Sequence, residues 1–431
     1  MAARYGGDGS WEGVSGPKDL LWLAREGDRE AVGCLALRVL GPNRVEVKHL
    51  YVAPVARRRG IGGALMDVLE AEARSRGASI VLETGGRQPE AIALYRTRGY
   101  RPRGKYEGAD VCGDESLYFE RWPRRPAGRP RGEYIAPVPD VVRTPDQLLA
   151  ELPEFPFDPS YRDLDGLRLA HIEVGEGAPV VLVHGEPTWS FLWRKVIPPL
   201  VDAGHRCIAP DLPGFGRSDK PTDIDWYSYD RHFESVAELF ERLDLRAATL
   251  VVHDWGGPIG LRVATEHPER VARMVVLDTG LFTGHQKMTD AWRAFRDFVE
   301  RTEDLPVGFL VRGACKHDPG DEVIGAYDAP FPNADSKAGA RAFPLMLPTA
   351  PDAPGAAAGQ RVLDALRSDD RPKLILWADS DPVLPLETGQ RFAAALGSEI
   401  DHVIAEASHF LQEDAGPEIG ARIADWLAQD G

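Results

Sequence analysis

The 431-residue sequence predicts an α/β chain of two units: an N-terminal α+β unit, then a larger unit with a mostly parallel sheet and an inserted helical segment. Three observations carry this. Residues 1–133 hold 23 Lys and Arg against 18 Asp and Glu, whereas the whole chain has 51 against 67 and a formal charge of −16. Such asymmetry separates independent units. From residue 180 onward, short apolar runs alternate with helical stretches, the pattern of a parallel sheet covered on both faces. Between the two regions lies R-W-P-R-R-P-A-G-R-P-R (121–131), too rich in Pro and Arg to bury much and best read as an extended, solvated spacer. The predicted boundaries are residues 1–121, a linker at 122–137, and 138–431.

Composition excludes several function classes. Cys34, Cys112, Cys207 and Cys315 are far apart and form no C-x-x-C pair, which fits a reducing compartment and argues against a disulfide framework or a zinc site. Met1–Gly16 has no apolar run of the signal-peptide kind. No apolar stretch reaches the roughly 20 residues that span a bilayer. The basic excess of the first unit is small and scattered, so nucleic acid is not an expected partner. The expectation is a soluble, cytoplasmic protein with no metal.

In the first unit, strands are predicted at Glu30–Leu40 and Arg44–Val52, separated by the turn signal Gly41-Pro42-Asn43. A-R-R-R-G-I-G-G-A-L (56–65) follows. Ile61, Ala64, Leu65, Val68 and Leu69 recur at helical spacing, and Gly77 ends the helix. A Gly-rich turn leading into a helix presents free backbone N–H groups at a positive helix end, a place for a pyrophosphate. Ala78–Glu83 reads as a strand, and Q-P-E-A-I-A-L-Y-R-T-R-G-Y (88–100) as a short helix ending at Gly99. Together these segments resemble the GNAT-type N-acetyltransferases. The resemblance implies acetyl-CoA as ligand, with Arg57, Arg58, Arg59, Gly60, Ile61 and Gly62 around the pyrophosphate. Backbone from Leu50, Tyr51 and Val52 would run beside the pantetheine. Tyr95 stands where the family keeps its general acid for the departing thiolate; a core aromatic on a helix face is the competing reading. The family normally starts with a further strand and two helices, and only some 17 residues precede Lys18. The domain is therefore expected to be shortened on its acceptor side.

In the second unit, strands are predicted at Val180–Val183, Cys207–Ala209, Thr249–Val252, Met274–Leu277, Leu374–Leu376 and His402–Ile404. The rhythm breaks between Leu277 and Leu374, too long for a loop, and an inserted helical cap is expected at about residues 280–360. The stretch V-V-H-D-W-G-G (251–257) puts Asp254 where a strand ends and a helix begins, with Gly256, Gly257 and Gly260 opening the helix. This is the nucleophile elbow of an α/β-hydrolase, with a carboxylate in place of the usual Ser. A carboxylate suits displacement at an sp3 carbon, leaving an alkyl ester for water to open. A serine hydrolase is excluded, since position 254 has no hydroxyl. Val252 departs from the Gly found in many elbows. H-G-E-P-T-W-S-F-L-W-R (184–194) follows the first predicted strand, so the N–H of Glu186 joins that of Trp255 as an oxyanion hole. A-S-H-F (407–410) places His409 just after the last strand, where the base of this fold belongs.

H-G-E-P-T-W, G-F-G-R-S-D-K-P (214–221), H-D-W-G-G and Y-D-A-P-F-P (327–332) together resemble the haloalkane dehalogenases over about 290 residues. The resemblance implies a small neutral halogenated substrate and no cofactor. Asp254 would be the nucleophile, the Trp255 indole a halide donor, His409 the base, and Glu186 an aid in positioning water. Two carboxylates compete to orient His409. Asp381 in W-A-D-S-D-P matches one branch of the family and is favoured; Asp278, at the end of the Met274–Leu277 strand, matches another, and Asp379 reads as a turn residue. The same branch takes its second halide donor from a cap tryptophan, which leaves Trp292. Trp292, Phe295, Phe298 and Val299 are expected to share one helical face. Two alternatives stand beside this reading. One is an epoxide hydrolase, disfavoured because it needs two cap tyrosines and the cap has only Tyr327. The other is an N-acetyltransferase with an accessory hydrolase domain.

Overall fold

The computed structural model describes residues 2–6, 19–25, 31–41, 44–75, 78–98, 100–103, 116–121, 140–286, 288 and 290–429. The Pro/Arg-rich segment beyond Arg121, Cys112, Pro42-Asn43, Gly77 and Gly99 lie outside them. The chain divides into two compact units, Met1–Pro137 and Val138–Gly431. Among the described residues no helix is long and apolar enough to cross a membrane.

The first unit is a seven-stranded sheet. In sheet order its strands are Ala2–Gly6, Leu20–Arg25, Ala31–Gly41, Arg44–Val52, Ser79–Gly85, Ser116–Arg121 and Arg101–Arg103. Arg44–Val52 and Ser79–Gly85 run parallel and every other neighbour pair antiparallel. The helices Ile61–Ser75 and Pro89–Thr97 share one core, in which Leu65, Met66 and Leu69 are buried with Tyr95, Ile80 and Leu82. Each such apolar side chain contributes about 1.5–3 kcal/mol by leaving water. Arg98 and Arg121 both pair with Glu70 of the first helix, and Arg98, just past the second helix, ties the two together. A strand leads the unit at Ala2–Gly6, paired antiparallel with Leu20–Arg25, and residues 7–18 between them lie outside the described ones.

Parallel pairing of Arg44–Val52 with Ser79–Gly85 stops at Val47 opposite Leu82. Just beyond, Cys34 faces Tyr51 while Ala36 faces Lys48, so Arg44–Val52 carries one extra residue there, and His49 takes φ +53°. A bulge of this kind bends its strand and leaves a residue unpaired. Leu50–Val52 therefore lie past the point where the two parallel strands part.

The second unit is an eight-stranded sheet. In sheet order its strands are Pro159–Leu164, Leu167–Val174, His205–Pro210, Ala178–Val183, Ala248–His253, Val271–Leu277, Lys373–Ala378 and His402–Ile404. The last six are parallel; the first two form an antiparallel hairpin that pairs antiparallel with His205–Pro210. The hairpin turns at Asp165-Gly166, both with positive φ, as a tight two-residue loop requires. Val180–Val183, Leu250–Val252 and Val275–Leu277 are completely buried, as strands covered on both faces must be.

The insert between Leu277 and Lys373 contains helices Asp290–Arg301, Val307–Gly313, Asp321–Asp328, Ala338–Met346 and Ala356–Leu366. The last extends past residue 360 and packs on the elbow helix Gly256–Glu266. On the first, Trp292 and Phe295 are half-buried and Val299 is buried. Phe298, at 43% exposure, does not share their face, because its position lies too far round the helix from Trp292.

Candidate active site

Strand Ala248–His253 delivers Asp254 at its C-terminal end, and helix Gly256–Glu266 begins two residues later. The turn is tight enough that Asp254 adopts φ +48°, uncommon for a residue with a side chain. Such strain persists only where the surroundings enforce it. Here Asp254 N–H donates to the Asp278 carbonyl at 3.1 Å, and the Thr279 hydroxyl donates to the Asp254 carbonyl. A Cβ on Gly256 would strike the Val183 carbonyl, and one on Gly257 the Thr279 hydroxyl. One on Gly260 would stand 2.6 Å from Val252 Cγ1. Gly260 thus makes the room that Val252 needs.

The Asp254 carboxylate is asymmetric. Oδ1 accepts the Glu186 N–H at 2.8 Å, and the Trp255 N–H also bonds the carboxylate. Oδ2 lies 3.7 Å from His409 Nε2. Burial raises the Asp254 pKa, with His409 and the two N–H groups acting against it. His409 is on the loop after the last strand, and its Nδ1 stands 2.8 Å from Asp381 Oδ2. Asp381 Oδ1 in turn accepts the N–H groups of Val383 and Leu384 at 2.6 and 2.9 Å. Burial pushes His409 down, but Asp381 and Asp254 outweigh it and hold the imidazole above its ordinary value. For Asp381 burial acts upward, and His409 together with the two N–H groups brings the carboxyl below the usual range.

Asp278, Asp381 and His409 cluster with their nearest ligating atoms within 4.8 Å of one another. Asp278 Oδ1 accepts the Ala378 N–H at 3.0 Å, capping the next strand, while Oδ2 is buried without a hydrogen-bond partner. Burial, then the charge of Asp381, push the Asp278 carboxyl well above its normal range. Asp381, whose Oδ2 meets His409 Nδ1, is the acid bonded to the base. Asp379 accepts the N–H groups of Glu406 and Ala407 and so shapes the approach to His409. The Glu186 carboxyl is buried with Oε1 unpartnered, and burial followed by Asp254 raises it strongly.

The Trp255 ring packs against Phe282 and Phe343, with centroids 5.5 and 5.0 Å away. Helix Asp290–Arg301, which bears Trp292, packs on Ala338–Met346, which bears Phe343. Trp255 also lines a small depression together with Tyr229, Pro258, Phe282 and Met346. Its one hydroxyl, that of Tyr229, is already bonded to the Pro258 carbonyl at 2.7 Å. Asp254 is not part of that wall, so the reacting geometry is set by the surroundings of Asp254 itself. Tyr327 is fully buried with its hydroxyl on Glu413, which also pairs with Arg194 and Lys195.

Two contributors had no sequence signal. Thr279 locks the elbow. Asp414 accepts the N–H of Ser408 at 3.0 Å and those of Lys316 and His317 from the cap, so it pins the loop of His409.

In the first unit, the turn before helix Ile61–Ser75 has Arg58 at φ +60° and Gly60 at φ +79°, and among the described residues other than its chain neighbours no atom lies within 4 Å of where a Gly60 Cβ would sit. Arg57 Nε donates to the Val52 carbonyl at 3.1 Å, joining this turn to the bulged strand. Arg57, Arg58, Arg59 and Gly60 are exposed, and Ile61 and Gly62 are half-buried. Tyr95 is 5% exposed, packed beside Tyr100 and Phe119, and burial pushes its phenol up to about 12.

Comparison with known proteins separates the same two regions. Residues 178–416 match the α/β hydrolase fold family, and residues 6–100 match the acetyltransferase (GNAT) family. The chain is 44% identical over 299 residues to a haloalkane dehalogenase of Mycobacterium marinum, covering 67% of this chain and 99% of the relative. It is 43% identical over 298 residues to one of Mycolicibacterium paratuberculosis, covering 66% and 98%. Among solved structures, haloalkane dehalogenase DpaA of Paraglaciecola agarilytica superposes with a TM-score of 0.62 at 35% identity, covering 67% of this chain and 98% of that one.

Proposed function

Because the chain belongs to the haloalkane dehalogenase family of α/β hydrolases and carries a GNAT-family domain ahead of it, we propose that Asp254 opens carbon–halogen bonds through an alkyl-ester intermediate. The observation that carries this is the division of labour on one carboxylate. Oδ1 accepts the main-chain N–H of Glu186, and Oδ2 is turned toward the imidazole of His409. Oδ2 attacks the halogen-bearing carbon in line, the carbon–halogen bond breaks, and halide departs with the electron pair. The indole N–H of Trp255, a donor with no acceptor capacity, receives the halide. Trp292 is the second donor.

His409 is then close to the ester carbonyl. Water gives a proton to its Nε2 and adds to the Asp254 carboxyl carbon, while the charge growing on Oδ1 falls on the Glu186 and Trp255 N–H groups. Collapse frees the alcohol with one water proton, and the second proton reaches solvent. The balance is haloalkane plus water to alcohol, halide and a proton, so no metal or organic cofactor enters. Asp381, bonded at Nδ1, stabilises the imidazolium, and general-base help of this type is worth about 10²–10⁴-fold. The neutral Glu186 carboxyl is placed to hold the attacking water. The competing epoxide opening has little support, since the Tyr327 hydroxyl is committed to Glu413.

The test is a single turnover of a bromoalkane in ¹⁸O-water. The expected result is unlabelled alcohol and one ¹⁸O in the Asp254 carboxylate; label in the first alcohol formed would mean direct attack by water. For the first unit, acetyl-CoA is the ligand this reading assigns. Its pyrophosphate lies on the Arg57–Gly62 turn and its pantetheine along Leu50–Val52, past the parting of the strands. Calorimetric titration with acetyl-CoA checks it, and absence of heat would remove it. Tyr95, buried with a raised phenol, fits a core role as well as a proton donor, and acetyl transfer by a Tyr95→Phe variant decides between them.

A further inference from the structure

Of the buried groups that this reaction leaves unused, His253 is nearest to it. It precedes Asp254 on the strand, is completely buried, and is fixed in register opposite Leu277. Its Nε2 lies 2.8 Å from the main-chain oxygen of His409, and the two rings are 4.9 Å apart. A carbonyl oxygen only accepts, so Nε2 must carry the hydrogen. Nδ1 is buried with no partner, which leaves it bare and the ring neutral. Burial, then the neighbouring charge of His409, push the ring down to about 3, in agreement with that geometry.

The other restraints on His409 come from the turn after strand Lys373–Ala378, the segment around His409 itself and the cap. Asp381 takes Nδ1, Asp414 takes the Ser408 N–H, and the Phe410 N–H donates to the Ala314 carbonyl at 3.2 Å. His253 is different because it ties the main chain of the base to the strand that carries the nucleophile. We propose that His253 is a positioning residue for ester hydrolysis: its Nε2–H holds the His409 carbonyl, and so keeps His409 aimed at the water rather than swung away from Asp254. Halide displacement needs only Asp254 and the halide donors, so it does not depend on this bond. The inference rests on the ester mechanism proposed above.

The experiment compares wild type with His253→Leu, which keeps bulk but has no donor, and His253→Gln, whose amide restores one. Each is mixed with a small bromoalkane. Rapid-quench halide release, the mass of the quenched protein and steady-state turnover are then read. His253→Leu is expected to release one equivalent of halide at close to the wild-type rate and to accumulate the alkylated protein. Its turnover should fall about 10–100-fold, the scale of a misplacement of about 1 Å. His253→Gln is expected to regain turnover to within about threefold of wild type by restoring the donor. If the leucine variant does not fold, as judged by its melting curve, His253→Met, apolar and adaptable, takes its place. Burst and turnover falling together, no adduct in the donor-less variant, or no rescue by Gln would each overturn the proposal. A wild type that releases no halide would instead remove the ester mechanism itself, and the proposal with it.

Discussion

Asp254 and Gly60 occupy comparable turns: each takes a positive φ on the way from a strand into a helix and is followed within two residues by that helix, although a 3-10 turn, Pro54–Ala56, separates Gly60 from its strand. Their surroundings are opposite. The Asp254 turn is filled on every side by Val183, Thr279, Val252 and the loop of Gly185, and its N–H groups are occupied by the chain's own carboxylate. Around Gly60 no described residue beyond its chain neighbours comes within 4 Å of a Cβ position, and the side chains before it, Arg57 to Arg59, are exposed. One turn carries its anion within the covalent chain; the other leaves its positive end for an anion that must diffuse in. A built-in anion allows strain and pKa shifts to be fixed in advance, whereas a site for a diffusing anion must stay open.

This contrast can be broken by substitution. The largest effect is expected from Asp254→Asn. Halide release should fall by more than about 10⁴-fold, the scale seen when a catalytic unit loses its nucleophile. Acetyl-CoA binding to the same protein should be unchanged by calorimetry. Next is Asp381→Asn, with turnover reduced by about 10²-fold or more and a shifted pH profile. His409 must be neutral to accept a proton, so wild-type activity should rise with pH through its raised pKa. Removing the Asp381 charge deletes a contribution that raises that pKa, and the acid limb should move to lower pH; a limb that stays in place would show that Asp381 does not govern His409. Gly62→Asp sharpens the other side. A carboxylate at a helix N-terminus should repel the pyrophosphate and weaken acetyl-CoA binding about tenfold, about 1–2 kcal/mol, without altering halide release. The smallest change is expected at Asp278→Asn. That carboxyl is held well above its usual range and an amide oxygen can keep the Ala378 N–H, so turnover should stay within about threefold. A large loss would transfer the role of orienting acid from Asp381 to Asp278.

The central parallel strands were readable because each has a short apolar run buried on both faces, and their patterns need no partner to be recognised; the edge strand His402–Ile404 leaves Val403 46% exposed. The hairpin Pro159–Leu164 with Leu167–Val174 was missed, although Asp165-Gly166 is a hairpin signal, because its exposed first strand alternates weakly. The leading strand Ala2–Gly6 carries no periodicity longer than its five residues. At the site, Asp254 and His409 were legible from chain order and flanking motifs. Asp381 as the partner of His409 was favoured only through the family resemblance, since the residues around Asp381 and Asp278 do not themselves say which of two buried carboxylates the fold presses against the imidazole. Asp414 and Thr279 act through backbone groups of other segments, and no local pattern announces a partner that is distant in sequence. Phe298 shows the reverse error: an apolar residue assigned to a buried face by type, when the helix turns it outward.

Glu413 pairs with Arg194 across 219 positions of sequence and also takes the Tyr327 hydroxyl, all three being buried. Losing one partner of such a pair leaves a charge without compensation, at about 3–5 kcal/mol. On the ribosome, this makes the synthesis of residues 409–413 decisive. The residues of the GNAT-family unit have all been made once residue 137 has emerged, and the unit can fold while synthesis continues. Until Glu413 appears, Arg194 and Tyr327 wait without their acid, and just before it the base His409 does not yet exist in the folded chain. The two units thus mature at different moments of one translation event, and premature termination near the C-terminus would yield a molecule with an intact first unit and a second without a finished active site.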